Sequence, residues 1–162
     1  MTPVHRSDIR PAAPEDALPM ARVFAEAIAV KAGASYGPNE RAAWTARGST
    51  SRFAAMIEDG QNALLVAEAD GAVVGVAGLR GCEVSLLYTV PDATPGTGTR
   101  LLAASEDLAR QSGLAGLTLT ASRNAVSFYM RRGYAIVSLG RRPLPGGVSL
   151  PVCLMAKPLA TP

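Results

Sequence analysis

The chain reads Gly96-Thr97-Gly98-Thr99-Arg100-Leu101-Leu102 directly after the apolar run Val84–Val90 and Pro91. Apolar residues then recur at helical spacing as far as Gln111, so the pattern predicts a strand, a glycine turn and a helix. The first amides of a helix have no partner inside it and lie at the positive end of its dipole. A strand that leads through glycines into a helix is typical of an anion site, most often for phosphate, although a plain tight turn has the same pattern.

Two nucleotide-binding classes have related glycine motifs, and neither fits. A P-loop reads G-x-x-x-x-G-K-[ST]. With Gly98 as its second glycine, Ala93, Thr99 and Arg100 take the first glycine, lysine and Ser/Thr positions, and none of them matches. A dinucleotide-binding fold needs a third glycine where Leu101 stands, and its motif follows the first strand of the domain.

The composition is that of a globular chain. Of its 162 residues, 48% are apolar and 18% charged, and the length suits one domain with its own core. The net charge of +3 favours anionic ligands mildly, but no Lys/Arg run exceeds two residues, so nucleic acid is not an expected partner. The sequence shows no signal peptide and no membrane span, and we expect a cytoplasmic protein without a membrane partner.

Cysteine usage and metal-ligand spacing are also informative. Cys82 and Cys153 each lie in an apolar run and are expected to be reduced core residues. No cluster of His, Cys, Asp and Glu has the spacing of a metal site, so no metal is expected.

The periodicity predicts alternating helices and strands around the glycine motif. Strands are expected at Ile9-Arg10, Ala63–Glu68, Ala72–Leu79, Glu83–Val90, Leu117–Thr120, Tyr134–Leu139 and Val148–Lys157. Helices are expected from Glu15-Asp16 to just before Gly33, and at Pro38–Arg47, Ser51–Ile57, Thr97–Gln111 and Arg123–Arg132. Asp70-Gly71 predicts a tight hairpin, and the nearly continuous apolar character of Glu83–Val90 indicates a central strand.

The order of these motifs resembles that of the GNAT acetyltransferase superfamily, over almost the whole chain. The most specific segment is Ala121–Tyr134, which is similar to the family's A-x-x-F-Y-x-x-x-G-F/Y pattern. The segments Ile9–Asp16 and Leu87–Pro91 and the Asp70-Gly71 hairpin resemble the family's opening strand and later strands, and Gly96-x-Gly98 resembles its pyrophosphate loop. One departure is that Ala93 stands where the family usually has Gln or Arg, in a loop that is one residue shorter than usual.

The resemblance implies an α/β fold with one domain over residues 1–162. Its sheet is mixed and mostly antiparallel, is split between the central parallel strands Val84–Val90 and Leu117–Thr120, and has helices on both faces. The implied activity is transfer of an acetyl group from acetyl-CoA to an amine by direct attack on the thioester. The implied acceptor is a small molecule or a peptide, and a homodimer is implied as well. The alternative is a non-catalytic acyl-CoA-binding or interaction module on the same fold.

The resemblance also implies which residues hold acetyl-CoA. The diphosphate would lie on the amides of Gly96, Thr97, Gly98 and Thr99. Backbone groups of Thr89 and Val90, beside the split, would bind the pantetheine arm and polarise the thioester carbonyl. Ser122 and Asn124 would hold the same arm.

Four further side chains are candidates for the chemistry or for the acceptor. Tyr129 is the candidate proton donor to the leaving thiolate, since a tyrosine pKa of about 10 lies only modestly above a thiol's 8.5 or so; alternatively it packs its helix on the sheet. Glu83 is the candidate base, acting through water, or else a solvated carboxylate at a strand end. Tyr36 and Trp44 either line the acceptor pocket or belong to a satellite core.

Overall fold

Seven strands form one sheet within residues 7–160, which are the residues that the computed structural model describes. The strands are β1 (Asp8–Pro11), β2 (Ala63–Ala69), β3 (Ala72–Arg80), β4 (Glu83–Thr89), β5 (Gly116–Ser122), β6 (Ala135–Pro143) and β7 (Ser149–Pro158). Their order across the sheet is β1-β2-β3-β4-β5-β7-β6. All neighbouring pairs are antiparallel except β4 and β5.

Five α-helices connect these strands in the described part of the chain. They are α1 (Ala17–Lys31), α2 (Pro38–Thr45), α3 (Thr50–Asp59), α4 (Thr97–Gln111) and α5 (Val126–Met130). The Ser49 hydroxyl caps α3 by accepting the Arg52 amide at 3.2 Å. Between β2 and β3, Asp70 (φ 52°) and Gly71 (φ 78°) both have positive φ, as a two-residue hairpin turn with right-handed twist requires.

The sheet is split at its centre. Strands β4 and β5 pair at one position, Glu83 with Thr118, where the Thr118 amide donates to the Cys82 carbonyl at 2.9 Å. Within residues 7–160 no other pair joins β4 to β5, and β7 pairs with the opposite edge of β5, so the edge of β4 that faces β5 is free toward Thr89. We call this gap the split, and it confirms the expectation of a sheet divided between its central parallel strands.

Helices cover both faces of the sheet, as expected. Leu64 and Val66 of β2 point to a core that also contains Met20, Phe24 and Ile28 of α1. The alternate residues Leu65 and Ala67 point the other way, and pack against Leu101 of α4. This alternation follows from the period of two in a strand, and it places α1 and α4 on opposite faces.

Two expectations need correction. The helix expected over Arg123–Arg132 begins as a 3₁₀ turn, Arg123–Ala125, and α5 spans only Val126–Met130. Cys82 is exposed, because Gly81 and Cys82 form the turn between β3 and β4, whereas Cys153 is buried as expected. Among residues 7–160, no helix is both long and apolar enough to cross a bilayer.

Candidate active site

Three cavities follow one another along the split. The first, of about 180 Å³, lies at the carboxyl end of β4 between α1, α4 and α5, and we call it the helix-side cavity. Its lining includes six residues that the sequence singles out: Trp44, Thr89, Gly98, Ser122, Asn124 and Tyr129. The fold therefore brings together residues that are up to 85 positions apart in the chain, from Trp44 to Tyr129.

The second cavity lies in the split itself and joins the other two. This split cavity is small, about 60 Å³, and Trp44, Leu87, Tyr88, Ser122 and Tyr129 line both it and the helix-side cavity. At its other end are Glu83 and Arg142, which also line the third cavity.

The third cavity is the largest, at about 660 Å³. It lies against α3, the segment that joins α2 to α3, and the amino-terminal half of β4. We call it the arginine cavity, because its lining includes Arg47, Arg52, Arg80 and Arg142. Glu83 lines this cavity and the split cavity, whereas Tyr129 lines the split cavity and the helix-side cavity, so the row of cavities has two distinct ends.

The amino terminus of α4 has two free amides, those of Gly98, which lines the helix-side cavity, and of the adjacent Thr99. Gly96 has φ 91°, which turns the chain sharply into the helix. The amides of Gly98 and Thr99 donate to no acceptor within residues 7–160, and a Cβ on Gly98 would lie 3.6 Å from the Phe128 ring, beside open space. These are the donors and the close approach that an anion needs at a helix terminus.

The expectation that the Thr97 amide binds phosphate is wrong, because the amide already has an acceptor in the protein. Its amide and its hydroxyl both donate to the Thr94 carbonyl, at 3.1 and 2.6 Å, and the residue is buried. Because both donors close the loop, Thr97 shapes the turn and leaves anion contact to its neighbours.

Arg132 places a positive charge at this helix terminus. Its Nε and Nη2 atoms donate to the Thr99 hydroxyl at 2.9 and 2.5 Å, and Nη1 donates to the Phe128 carbonyl at 2.8 Å. The guanidinium stacks on the Phe128 ring, 3.7 Å from its centroid. From the sequence alone, Arg131 and Arg132 are either a solvated face or a contact to a CoA phosphate. Arg132 lies just after α5, four residues beyond Phe128, and only the fold brings it to Thr99.

The backbone of β4 exposes Thr89 to the split and turns Val90 away from it. The Val90 amide donates to the Val74 carbonyl of β3 at 2.9 Å, so it is not available for a ligand, contrary to the sequence expectation. Hydrogen-bonding direction alternates along an antiparallel strand, and the amides and carbonyls of Thr89 and Leu87 therefore face β5 across the split. Lys31 of α1 donates its Nζ hydrogen to the Thr89 hydroxyl at the same cavity.

Tyr129 lies between the helix-side and split cavities and is 7% exposed. Its ring contacts those of Phe128 and Tyr134 edge-on, and its hydroxyl has no hydrogen-bond partner within residues 7–160. Burial raises the pKa of Tyr129 above its ordinary value of 10, and the neighbouring Tyr88 and Tyr134 add to the effect. The phenol therefore stays protonated at neutral pH, and its raised pKa makes proton donation to a thiolate more uphill than the ordinary tyrosine value implies.

Tyr36 and Trp44 have different surroundings. Tyr36 is buried, its hydroxyl donates to the Pro151 carbonyl at 2.6 Å and accepts the Arg123 amide at 2.9 Å, and it lines none of the three cavities. It joins α2 to the β5–α5 junction, so the structure places it in the core. Trp44 lines all three cavities and packs edge-on against Tyr36 and Tyr88.

Sequence comparisons with known proteins identify the same family that the motifs resemble. A family model for the acetyltransferase (GNAT) domain matches residues 32–142. An uncharacterized N-acetyltransferase, YhfO of Bacillus subtilis strain 168, is 31% identical in an alignment 141 positions long, and the match covers 78% of this chain and 89% of that protein.

Solved structures show the same fold. A GCN5-related N-acetyltransferase from Rhodopseudomonas palustris is 32% identical with a TM-score of 0.88, over 95% of this chain and 96% of that one. PaiA N-acetyltransferase from Thermoplasma acidophilum, solved in complex with coenzyme A, has a TM-score of 0.78 at 23% identity, over 94% and 98% of the two chains. The chain belongs to the GNAT acetyltransferase family.

Proposed function

We propose that this acetyltransferase moves the acetyl group of acetyl-CoA directly to an amine acceptor within the split. The observation that carries the proposal is the row of three joined cavities, with a helix terminus at one end, Tyr129 in the middle and Glu83 at the other. Two ligands that enter from opposite ends would meet beside Tyr129. Holding both reactants in one geometry is itself a large part of catalysis.

Two features of the helix-side cavity and its rim support acetyl-CoA as its ligand. Its diphosphate needs several N–H donors and a close approach, which the free amides of Gly98 and Thr99 and the absent side chain of Gly98 supply. Arg132 adds a cation at the same point, in place of the polar side chain that the loop lacks at Ala93. When bound there, acetyl-CoA supplies an activated thioester carbonyl.

The reaction that we propose forms one bond and breaks one. The lone pair of a neutral amine attacks the thioester carbon, a C–N bond forms, and the C–S bond breaks with its electron pair on sulfur. The amine loses one proton and the thiolate gains one, so the products are an amide and free CoA thiol. No oxidant or reductant is needed.

Residues of the chain take four tasks in this scheme. The amides that face the split, at Leu87 and Thr89, bind the pantetheine arm and stabilise negative charge on the carbonyl oxygen. Ser122 and Asn124 hold the arm from the β5 side. Glu83 accepts the amine's proton through water, and Tyr129 donates the proton that sulfur receives.

The test is an assay of the purified protein with acetyl-CoA and a panel of primary amines. Free thiol is measured with a thiol reagent, and the acetylated amine is measured by mass spectrometry. We expect at least one amine to give thiol and amide in equal amounts, with only a slow background when amine is omitted. Binding of CoA without thiol release from any amine would instead support the non-catalytic alternative and reject acetyl transfer.

A further inference from the structure

The arginine cavity concentrates positive charge from four separate parts of the chain. Arg47 follows α2, Arg52 lies in α3, Arg80 ends β3 and Arg142 lies near the end of β6. Asp59 and Glu83 are the two carboxylates in the lining, so the lining has a net formal charge of +2. Each element contributes one guanidinium, and no single stretch of sequence shows the cluster.

Three of these arginines have no protein partner to neutralise them. Within residues 7–160, no ion pair and no side-chain hydrogen bond is made by Arg47, Arg52 or Arg142. By contrast, Arg10, at another place in the fold, forms ion pairs with both Asp16 and Glu68. Arg80 donates to the side-chain oxygen of Gln61 at 2.9 Å. Burial lowers the pKa of Arg47, and the nearby charges of Arg142 and Arg52 lower it further, as expected for like charges held close together.

Like charges that converge on a cavity without counter-ions are stabilised when an anion binds between them. We infer that the acetyl acceptor is an amine that also carries an anionic oxygen group, a carboxylate or a phosphate, held by the arginine cavity. This inference rests on the proposed function, because it assigns the second substrate of that reaction.

The location of the cavity separates this anion from the phosphates of CoA. No residue of α4 or α5 lines the arginine cavity, and the free amides of Gly98 and Thr99 lie at the opposite end of the row. Arg142 also lines the split cavity together with Tyr129 and Ser122. An acceptor whose anionic group lies on Arg142 can therefore extend its amine toward the thioester.

The same charges select against other amines. A volume of about 660 Å³ suits a small molecule or the end of a peptide. A polyamine would bring positive charge to a lining that is already positive, which is unfavourable. Glu83 lines the split cavity, where it can accept the proton of the attacking amine. The site therefore combines a positive lining with a local base.

The experiment compares amines that differ by one anionic group. Ornithine is paired with putrescine to test a carboxylate, and phosphoethanolamine is paired with ethanolamine to test a phosphate. Because hydrogen bonds to charged groups are among the stronger ones, we expect kcat/KM for the anionic member of at least one pair to be about 10- to 100-fold higher. The pair that shows the effect identifies carboxylate or phosphate as the recognised group.

Variants connect the preference to the cavity. We expect Arg142→Gln and Arg47→Gln to remove most of the preference, and Arg142→Lys to keep part of it. Arg22→Gln is the matched control, because Arg22 is an exposed arginine of α1 outside all three cavities. A calorimetric titration of phosphoethanolamine or ornithine into CoA-saturated protein gives a readout that does not depend on turnover, and its heat should disappear in Arg142→Gln.

The outcomes separate this inference from the proposed function. The inference is overturned if the amine without the anionic group, putrescine or ethanolamine, is preferred in both pairs. It is overturned as well if neither ornithine nor phosphoethanolamine binds. It is also overturned if Arg142→Gln or Arg47→Gln weakens CoA binding to the same extent, because those arginines would then hold CoA phosphates. Thiol release with any amine keeps the proposed function in each of these cases, whereas no release from any amine rejects the proposed function itself.

Discussion

Tyr129 is the residue on which the proposed chemistry depends most. Tyr129 lines two cavities, its hydroxyl has no partner within residues 7–160, and burial raises its pKa, so the phenol stays protonated. We expect Tyr129→Phe to lower kcat by about 10²–10⁴-fold, the usual range for general acid catalysis, and to leave CoA affinity nearly unchanged. Steady-state kinetics and a CoA titration on the same preparation measure both quantities.

Tyr134 provides the matched control for that substitution. It is a buried tyrosine whose hydroxyl also lacks a partner, and its ring centroid is 5.6 Å from that of Tyr129. Tyr134→Phe should leave kcat within a few-fold of wild type, since this residue lines none of the three cavities. Unchanged kcat in Tyr129→Phe with a lowered melting temperature would assign Tyr129 to packing alone.

Two pairs of residues show that the local sequence does not determine side-chain direction or strand register. Tyr36 and Trp44 look alike in sequence, as aromatic residues in or beside a short helix, yet the structure uses Tyr36 as a buried hydrogen-bonding link and places Trp44 along the cavities. Val90 and Thr89 are neighbours, but the register with β3 commits the Val90 amide to Val74. Side-chain direction and strand register depend on partners far away in the chain, so the local pattern does not determine them.

At the level of elements, the contact between α4 and α5 assembles the anion site. Arg132, just after α5, reaches the Thr99 hydroxyl near the start of α4. We expect Arg132→Gln to weaken CoA binding by about 10-fold, because a cation at this position attracts the diphosphate. Arg131→Gln is the control, since Arg131 is exposed and lines none of the three cavities. Equal CoA affinities for the two variants in a calorimetric titration would exclude a role for Arg132.

The elements themselves were well predicted, with α4 matching its expected bounds of Thr97–Gln111. Strong periodicity and glycine stops explain that success, because both signals are local. The short α5 was overestimated: its segment begins as a 3₁₀ turn at Arg123–Ala125, which helical spacing alone does not reveal. The split between β4 and β5 followed from the family resemblance, and no single strand pattern would have predicted it.

For the whole molecule, we propose that the chain acts as one domain, because one sheet contains strands from Asp8 to Pro158. An ion cluster joins its first segments. Arg10 of β1 donates to Asp16 at 2.7 and 3.0 Å and to Glu68 of β2 at 2.9 Å, and Asp16 also accepts the Ala13 amide at 2.7 Å. Asp16 has a side chain that is only 5% exposed, so its charge matters for folding.

Stability should therefore depend on pH through Asp16. The hydrogen bonds from Arg10 lower the pKa of Asp16 below its ordinary value of 3.8 despite burial, and the Ala13 amide contributes. Because the pKa is lower in the folded state, the stabilisation is complete above the ordinary value of 3.8 and is lost as the pH falls from that value through the lowered pKa. We expect Asp16→Asn to lower the free energy of unfolding by about 1–3 kcal/mol at pH 7 and to flatten its decline in acid.

Urea unfolding at a series of pH values from 7 downward measures this dependence, and the most sensitive part lies below the ordinary Asp16 pKa of 3.8, where the stabilisation is lost. Glu15→Gln is the control, because Glu15 is exposed beside Asp16 and makes no ion pair within residues 7–160. An Asp16→Asn protein with wild-type stability at pH 7 and the same acid decline would show that the cluster does not stabilise the fold.

The central claim is that CoA binds with its diphosphate at the amino terminus of α4, and one titration tests it directly. Isothermal calorimetry of CoA is compared for wild type, Gly98→Glu, Gly98→Ala and Ala93→Gln. Gly98→Ala should stay folded, since its Cβ would make ordinary contact with Phe128 at 3.6 Å, and Ala93→Gln should bind CoA as well as wild type or better. We predict that Gly98→Glu keeps the wild-type melting temperature within a few degrees and loses CoA binding, because a carboxylate would occupy the position of the diphosphate. Wild-type affinity in Gly98→Glu would contradict the account, since CoA would then bind elsewhere.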